Sequence, residues 1–405
     1  MSYNILLYGG YTLWSAGDDA PMHFLTTQLK NKTDKDIKFT VFCRHPNTEF
    51  DTYYNVKTKQ NFEYKTKELS SGRWMRGLNS SDNRKDLLDI ATEISASDLI
   101  ILGAGNFITE VSLDVLRGHF AQFVVLTLIA DMCHTPCMLF GLSANKLKNP
   151  WTAKAAGWML HRASCVTFRE KNAVENLISS DVSLPQYELL PDAALGSPVA
   201  NINRSKEILR NEHIDLSNKK VLAISIRDLS WMNADEKYQK NLKNTIDKWL
   251  YSDNQNVILF IPQCTYDVEN SLTDDRYVAH KLSKQVNFPD RCFHIKNKYQ
   301  APDIECLYRE ADITLATRLH GSVFSAKMGT PVIGLCYEDK VKGFFRQLNC
   351  PELALKWDEE SEIIFNKIMG VLQNKQHIVS KINDNVSILQ KKLGRYVELA
   401  YNLLT

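Results

Sequence analysis

The stretch DITLATRLHGSVFSAKMGTPVIGLC, residues 312–336, carries the most information about the architecture of this chain. Residues 313–316 are a short β-branched and apolar run, typical of a buried strand, and residues 321–328 have the small and apolar side chains of a helix packed on a sheet. Arg318 and His320 lie in the turn between them. In open α/β sheets, ligands bind beyond the carboxyl ends of the strands, beside the free N–H groups of the next helix. This turn therefore predicts a binding site for a phosphate or a carboxylate.

A second interpretation of the same residues stays open at the level of sequence. Arg318 could pair with a neighbouring carboxylate of the protein, and His320 could simply cap the helix. An Arg-x-His triplet alone does not separate the two interpretations, so the surrounding pattern has to decide between them.

Strand-like and helix-like patterns alternate along most of the chain. Amphipathic stretches separate several of the strand-like runs, which predicts mostly parallel sheets covered by helices on both faces. We therefore expect an α/β protein of GT-B-like architecture, in which two doubly wound, Rossmann-like domains face a central cleft. The runs that predict strands are residues 3–8, 37–43, 99–103, 137–141, 165–168, 187–190, 221–226, 257–261, 292–295, 313–316 and 332–335.

Two polar segments interrupt this rhythm. The first, residues 198–218, predicts a boundary between an N-terminal domain (1–200) and a C-terminal domain (215–355). The second, residues 47–82, is an ordinary surface loop, a lid over the cleft or an insertion that binds an acceptor. Residues 360–405 are helical and are expected to brace both domains.

Bulk composition excludes several classes of function. Lys and Arg number 49 against 47 Asp and Glu in 405 residues, so no large positive field is available to hold nucleic acid. The chain begins without a signal-peptide pattern and has no apolar run of membrane-spanning length, which predicts a cytosolic protein. Nine cysteines, an odd number, indicate reduced thiols. Cys133, His134 and Cys137 have no second ligand pair, so we expect no metal.

Several further polar residues follow predicted strands and are expected to lie on the same edge of a sheet as Arg318. Arg227 is the most informative of them, because two guanidinium groups on one edge can bind two anionic groups. The alternative is that Arg227 pairs with Asp228. Glycine-containing turns after the first and third predicted strands offer bare backbone N–H groups. The additional candidates are Arg169, Gln263 and Lys340, with Gly17, Asp18, Gly105 and Asn106 in or beside the glycine turns.

These segments together resemble the polysaccharide pyruvyl transferase family over most of the chain. The most specific stretch is TRLHGSVFSAKMGTPVIGLCYEDKVKGFF, residues 317–345. Three departures concern the donor and acceptor details more than the reaction class: Ala104 in place of a glycine, Asp192-Ala193 in place of Asp-Pro, and a loosely matching segment at 141–144. The supporting stretches are YGGYTLWSAGDDA (8–20), LGAGNF (102–107), VTFREKNA (166–173) and LLPDAAL (189–195).

The resemblance implies transfer of the enolpyruvyl carbons of phosphoenolpyruvate onto two sugar hydroxyls, with formation of a cyclic ketal and release of phosphate. It implies that Arg227 and Arg318 bind the carboxylate and the phosphate, and that His320 is the general acid. Asp18 is the candidate base for the acceptor hydroxyl, and no metal or cofactor is required. The remaining expected donor contacts are Leu319, Gly321, Ser322, Gln263, Lys340 and Arg169, and the expected acceptor contacts on the N-terminal side are Gly17, Gly105 and Asn106.

Two other functions are weighed against pyruvyl transfer. A GT-B-fold glycosyltransferase would bind the diphosphate of a nucleotide sugar at the same edge, although the glutamate pair of many retaining members is not evident. A sensor of a phosphorylated metabolite would bind without turnover. The identity of the sugar, the oligomeric state and the carrier of the acceptor stay open; with a lipid-linked acceptor, we expect transient membrane contact through residues 47–82.

Overall fold

The structure is a computed structural model that describes residues 2–12, 14–43, 45–61, 80–110, 118–232, 235–265 and 272–405; of residues 80–86 and 118 it describes the backbone alone. The chain divides into two compact units. The first comprises Met1–Leu13, Pro21–Gly196 and Lys392–Thr405, and the second comprises Trp14–Ala20 and Ser197–Lys391.

A doubly wound parallel sheet forms the centre of the first unit. Its strand order, within the described residues, is β3-β2-β1-β4-β5-β6-β7, so the direction of winding reverses between β1 and β4. The two central strands Leu99–Ile108 and Cys137–Ala144 are mostly apolar, and every residue in them except Asn106 is buried. The strands are β1 (Tyr3–Tyr8), β2 (Ile37–Cys43), β3 (Lys57–Gln60), β4 (Leu99–Ile108), β5 (Cys137–Ala144), β6 (Cys165–Phe168) and β7 (Glu188–Leu189).

Helices cover this sheet and bury its apolar side chains. Phe123 on one helix packs against Tyr8 of β1 with ring centroids 5.6 Å apart, and both side chains are buried. The helices are α1 (Ala16–Lys32), whose first turn belongs to the second unit, α2 (Thr48–Tyr54), α3 (Ser80–Ser95), α4 (Gly118–Met132), α5 (Pro150–Arg162) and α6 (Lys171–Ile178).

The second unit repeats the architecture with a smaller sheet. Among the described residues its order is β10-β9-β8-β11-β12-β13, all parallel, with the winding reversed between β8 and β11. The strands are β8 (Lys220–Ser225), β9 (Asn256–Phe260), β10 (Cys292–His294), β11 (Ile313–Ala316), β12 (Val332–Cys336) and β13 (Ala354–Lys356). The helices are α7 (Arg204–Asn211), α8 (Asp235–Ser252), α9 (Asp275–Ser283), α10 (Ala301–Cys306), α11 (Leu319–Lys327), α12 (Asp339–Gln347), α13 (Ser361–Gln373) and α14 (Lys375–Asn402), whose last part belongs to the first unit.

The two doubly wound α/β sheets predicted from the alternating pattern are confirmed. Residues 102–107 differ from the prediction, because β4 runs on to Ile108 where a glycine turn was expected. Gly103 and Gly105 adopt φ of +145° and +151°, which glycine tolerates without a steric penalty, so the strand continues through them. Within the predicted polar excursion, α2 and β3 are additional regular elements, and residues 62–79 lie outside the described residues.

Candidate active site

The reversal of winding in the second sheet brings two arginines to neighbouring strand ends. β8 and β11 are adjacent and parallel, with Ser225 opposite Ala316 in the register. Arg227 and Arg318 each lie two residues beyond these positions. Because the carboxyl ends of parallel strands share one edge, the two guanidinium groups are carried to the point where α/β sheets bind ligands.

Arg318 is held by a buried carboxylate of the neighbouring helix. Its Nε lies 3.0 and 2.9 Å from the two carboxylate oxygens of Asp275, and its Nη2 lies 2.5 Å from Oδ1. Asp275 is 1% exposed and also accepts hydrogen bonds from the backbone N–H groups of Gln263 and Cys264. Burial disfavours the charge of Arg318, but the Asp275 carboxylate raises its pKa well above the ordinary value.

This ion pair corresponds to the second interpretation considered from the sequence. It does not use all the N–H donors of the guanidinium group. The contacts with Asp275 use Nε and Nη2. Among the described residues, Nη1 of Arg318 has no hydrogen-bond partner. The carboxylate therefore fixes the plane of the guanidinium group and leaves one edge for an anionic ligand.

Arg227 is held in a different way, against two aromatic rings. Its guanidinium carbon lies 4.8 Å from the centroid of Trp231 and 4.9 Å from that of Tyr337, and Nη1 donates to the Tyr337 hydroxyl. Asp228, the partner considered from the sequence, accepts instead from the backbone N–H and hydroxyl of Ser230. Stacking on aromatic faces orients a guanidinium group without neutralising its charge.

His320 lies in the first turn of α11, which begins at Leu319 and not at Gly321 as predicted. Its ring rests against Gly17, where an added Cβ would stand 2.0 Å from Nδ1. Gly17 and Asp18 reach this position because the backbone N–H of Ala16 donates to the carbonyl oxygen of Gln263 at 2.9 Å. Both residues thus belong to the second unit together with His320.

Buried polar atoms surround the same strand ends. The Gln263 side-chain amide donates to the Tyr308 hydroxyl at 2.8 Å, and burial raises the pKa of that hydroxyl. The Oε1 atom of Gln263 and the Oγ atom of Ser322 are buried without a hydrogen-bond partner in the part of the chain that the structure describes. Leu319 and Gly321, the other donor contacts predicted on this helix, are buried in its first turn.

Lys340 lies at the start of α12, beyond β12. It forms an ion pair with Glu338, and its Nζ is 5.9 Å from the ring centroid of Tyr337. Burial would raise the pKa of Glu338, but the charges of Lys340 and Arg227 lower it. The positive charge predicted here is present and is partly compensated by Glu338.

In the first unit, Arg169 is buried beyond β6 and bonded to carboxylates. Its Nη1 donates to Asp192 at 2.9 Å, and its Nε is 3.6 Å from Glu170. These contacts give Arg169 a structural role, and its binding of ligand stays a prediction. Asn106, near the end of β4, donates from Nδ2 to Asn145 Oδ1 at 3.0 Å.

Sequence reasoning did not identify three residues that shape this site. The first is Asp275, at the start of α9: the preceding Asp274 caps the helix by accepting from the Arg276 backbone N–H, whereas Asp275 holds Arg318. Trp231 and Tyr337 gave no signal beyond their position after strands. Trp231 lies six residues past the end of β8 and Tyr337 one residue past the end of β12, so no common spacing in the sequence would have indicated them.

The described residues contain no group of three His, Cys, Asp or Glu side chains that could hold a metal ion. Among the same residues, no helix is both long enough and apolar enough to cross a bilayer.

Comparison with known proteins gives a family and a fold. The family model described as polysaccharide pyruvyl transferase matches residues 16–339. The amylovoran biosynthesis protein AmsJ of Erwinia amylovora is 22% identical over 404 residues, which covers 93% of this chain and 94% of AmsJ.

Solved structures support the GT-B-like fold. The UDP-GlcNAc 2-epimerase of Neisseria meningitidis, bound to UDP-GlcNAc, has a TM-score of 0.60 at 12% identity and covers 99% of this chain and 100% of its own. HepE of Anabaena, in complex with UDP and glucose, has a TM-score of 0.63 at 10% identity, with 99% and 98% covered. At these identities the likeness shows the fold alone, and the GT-B-like prediction is confirmed.

Proposed function

The chain belongs to the polysaccharide pyruvyl transferase family, and we propose on that basis that it takes the pyruvyl group from phosphoenolpyruvate and builds a cyclic ketal on two hydroxyls of a sugar. The observation that supports this reaction best is the pairing of Arg227 and Arg318 on adjacent strand ends, with His320 in the first turn of the helix that follows. Phosphoenolpyruvate carries a phosphate and a carboxylate on one carbon, and two oriented guanidinium groups match those two anions.

The two arginines differ in a way that suits the two anions. Arg318 keeps one edge of its guanidinium group beside the N-terminus of α11, where the unbonded N–H groups favour a multiply charged anion. Arg227 forms no ion pair among the described residues and contacts the rings of Trp231 and Tyr337. In our proposal Arg318 binds the phosphate with Leu319, Gly321 and Ser322, while Arg227 binds the carboxylate. Gln263 and Lys340 complete the donor contacts.

His320 supplies the proton on which the chemistry depends. An imidazole side chain can act as a general acid, and in this proposal His320 protonates the methylene carbon of the donor. The neighbouring carbon then becomes electron-poor and is attacked by a sugar hydroxyl. Cleavage of the carbon–oxygen bond to phosphate regenerates an electron-poor centre, and the second hydroxyl attacks it, closes the ring and returns a proton to His320. The arginines stabilise the phosphate as it leaves.

Asp18 is the proposed base for the attacking hydroxyl. It lies in the same first turn of α1 as Gly17, which touches the His320 ring. Placing an acid and a base on neighbouring backbone segments would allow one proton to be donated to the donor and another to be taken from the acceptor. Gly105, Asn106 and Arg169 stay predicted ligand contacts in the first unit.

Thermal stability with and without ligand tests the donor. We expect phosphoenolpyruvate to raise the melting temperature and UDP and nucleotide sugars to leave it unchanged, because binding to the native state alone stabilises it. With glycosides that carry free O4/O6 or O3/O4 diols, phosphate release and the mass of the ketal product report turnover. His320→Asn should keep the donor-induced stabilisation and lose phosphate release.

A nucleotide-sugar glycosyltransferase is the alternative, and the UDP complexes of the structural neighbours are the observation in its favour. Stabilisation by UDP or a nucleotide sugar, with none by phosphoenolpyruvate, would establish that alternative and overturn pyruvyl transfer.

A further inference from the structure

The solvent-facing side of α5 and the loop before it form a basic and aromatic surface in the first unit. Residues 145–162 contain no Asp or Glu. We call the surface formed by the following six residues the α5 surface: Lys146, Lys148, Trp151, Lys154, Trp158 and Arg162.

Helix geometry places the four members of the surface that belong to α5 on one side of that helix, and Trp158 among them is partly buried against the core. Trp151, Trp158 and Arg162 follow at spacings of seven and four residues, so they share a face, and Lys154 borders it. The opposite face is buried, with Ala156 and Leu160 in the core. Trp151 is 73% exposed, and the Nζ of Lys154 lies 5.0 Å from its ring centroid. A large indole is therefore held in solvent beside a cation.

The neighbouring helix extends the surface with apolar side chains. Leu128 and Met132 on α4 are 42% and 72% exposed. Arg162 Nη1 lies 3.4 Å from Asp131 Oδ2, which joins the carboxyl ends of the two helices. Exposed Trp151 lies beside Lys154, and the exposed Leu128 and Met132 lie on the helix that Arg162 contacts, so apolar side chains and positive charge occur on neighbouring helices.

Two carboxylates of the described residues contact this region, and both are engaged. Asp131 faces Arg162, and Glu110 accepts hydrogen bonds from the backbone N–H groups of Lys148 and Asn149. The side chains of Lys146, Lys148 and Lys154 are exposed. The surface consequently presents net positive charge around its apolar side chains.

We propose that the α5 surface docks on an anionic phospholipid bilayer. Helices that lie in a membrane interface combine Lys or Arg with Trp and aliphatic side chains on the exposed side, and each basic residue near an anionic surface strengthens the attraction. Indole rings favour the interface because one end of the ring is apolar and the other donates a hydrogen bond. Neither feature requires a helix that spans the bilayer.

The position of the surface connects it to the proposed acceptor. The loop that leads into α5 is tied to the end of β4 by the Asn106–Asn145 hydrogen bond and by the donation of Asn145 N–H to the Ile108 carbonyl oxygen at 3.0 Å. Docking brings the carboxyl edge of the first sheet close to the lipid headgroups. The acceptor sugar is then carried on a membrane lipid, a consequence that rests on the proposed function, whereas the docking itself does not.

Vesicle flotation with the full chain tests the docking. We expect binding to vesicles that contain phosphatidylglycerol, weak binding to pure phosphatidylcholine, and loss of binding in high salt. The triple variant K146E/K148E/K154E should lower the partition coefficient at least ~10-fold, and Trp151→Ala should lower it several-fold. The matched controls are K240E/K391E/K392E, which reverses three exposed lysines elsewhere, and Tyr251→Ala, which removes an aromatic ring that is 81% exposed.

Each possible result of the vesicle experiment either supports or contradicts the docking proposal. Binding by the wild type and the controls with loss in the α5 variants supports docking. Four results would overturn the docking proposal. They are absence of wild-type binding, equal binding to both lipids, equal loss of binding in the controls, and binding to dextran sulfate without binding to vesicles. The thermal shift with phosphoenolpyruvate, measured on the same samples, separates the two proposals: a retained shift without vesicle binding defeats docking alone, and vesicle binding without a shift defeats only the proposed donor.

Discussion

Gly17 and His320 are in direct contact: a Cβ atom built on Gly17 would stand 2.0 Å from Nδ1 and 2.3 Å from Cγ of the imidazole. The first turn of α1 therefore forms one wall of the position that His320 occupies. Because an overlap of this size cannot be relieved without moving the ring or the helix, a glycine at position 17 is a condition for the observed placement of His320.

Gly17→Ala should consequently reduce turnover far more than it reduces stability. Alanine is favoured over glycine in a helix by roughly 1 kcal/mol, so helix propensity alone would stabilise the variant. The methyl group displaces the imidazole, and we expect the turnover number to fall at least ~10-fold, since misplacing a proton donor by about 1 Å costs that much or more. The turnover number is measured as the rate of phosphate release at saturating phosphoenolpyruvate.

Gly394→Ala is the matched control. Gly394 lies within α14, and an added Cβ there meets no atom within 4 Å. It should keep full activity and gain slightly in melting temperature. Equal activity of the Gly17 and Gly394 variants would show that the contact with His320 has no catalytic consequence.

The sequence predicted the two arginines but not what holds them. Arg227 and Arg318 follow short apolar runs that predict strands. Because the carboxyl ends of parallel strands share one edge, the sequence pattern alone predicts that the two arginines lie at the same edge of the sheet. Asp275 is 43 positions from Arg318 in sequence. Tertiary packing determines that Asp275 pairs with this arginine and does not cap α9. Gly17 was expected on the N-terminal side, but backbone hydrogen bonds such as that from Thr265 N–H to the Trp14 carbonyl oxygen at 3.0 Å tie its segment to the second unit.

Asp275→Asn should weaken both donor binding and the fold. The change removes the charge opposite Arg318 and leaves a buried cation without its counter-ion, which typically costs about 3–5 kcal/mol. We expect the free energy of unfolding in urea to fall by an amount of this order, and the affinity for phosphoenolpyruvate to fall because the guanidinium plane is no longer fixed.

Asp274→Asn tests whether the effect belongs to the arginine contact. Asparagine caps helices as well as aspartate does, so the cap of α9 is preserved. The loss of the charged contact between Asp274 and Arg276 should lower the free energy of unfolding less than Asp275→Asn does, and the affinity for phosphoenolpyruvate should be unchanged. A comparable loss of donor affinity in both variants would assign the effect to α9 as a whole.

Tyr337→Phe should act on donor affinity and leave the chemical step almost intact. It deletes the hydroxyl that accepts from Arg227 and keeps the ring that stacks on the guanidinium group. A hydrogen bond to a charged group contributes about 1.5–3 kcal/mol, so the KM for phosphoenolpyruvate should rise at least several-fold with a nearly constant kcat. Trp231→Ala, which removes the second ring, should add to this effect. Tyr251→Phe, at an exposed position on α8, is the control, and an unchanged KM in Tyr337→Phe would separate Tyr337 from donor binding.

His294 gives the second unit a dependence of stability on pH. Burial, the charge of His280 and the charge of Lys296 lower the pKa of His294 from 6.5 to about 4, and its ring stacks on Phe260 with centroids 4.9 Å apart. The unfolded chain therefore binds a proton at a higher pH than the folded chain does. The stability that His294 contributes is complete above pH 6.5 and is lost as the pH falls towards 4.

Urea unfolding at a series of pH values measures this contribution. The free energy of unfolding should decrease by up to about 1.4 kcal/mol per pH unit within that window. His294→Gln removes the titrating group and should flatten the slope there, although it also lowers stability at neutral pH through lost packing. His377→Gln, on the exposed side of α14, should leave the slope unchanged. An unaltered slope in His294→Gln would mean that other groups govern the acid sensitivity of the second unit.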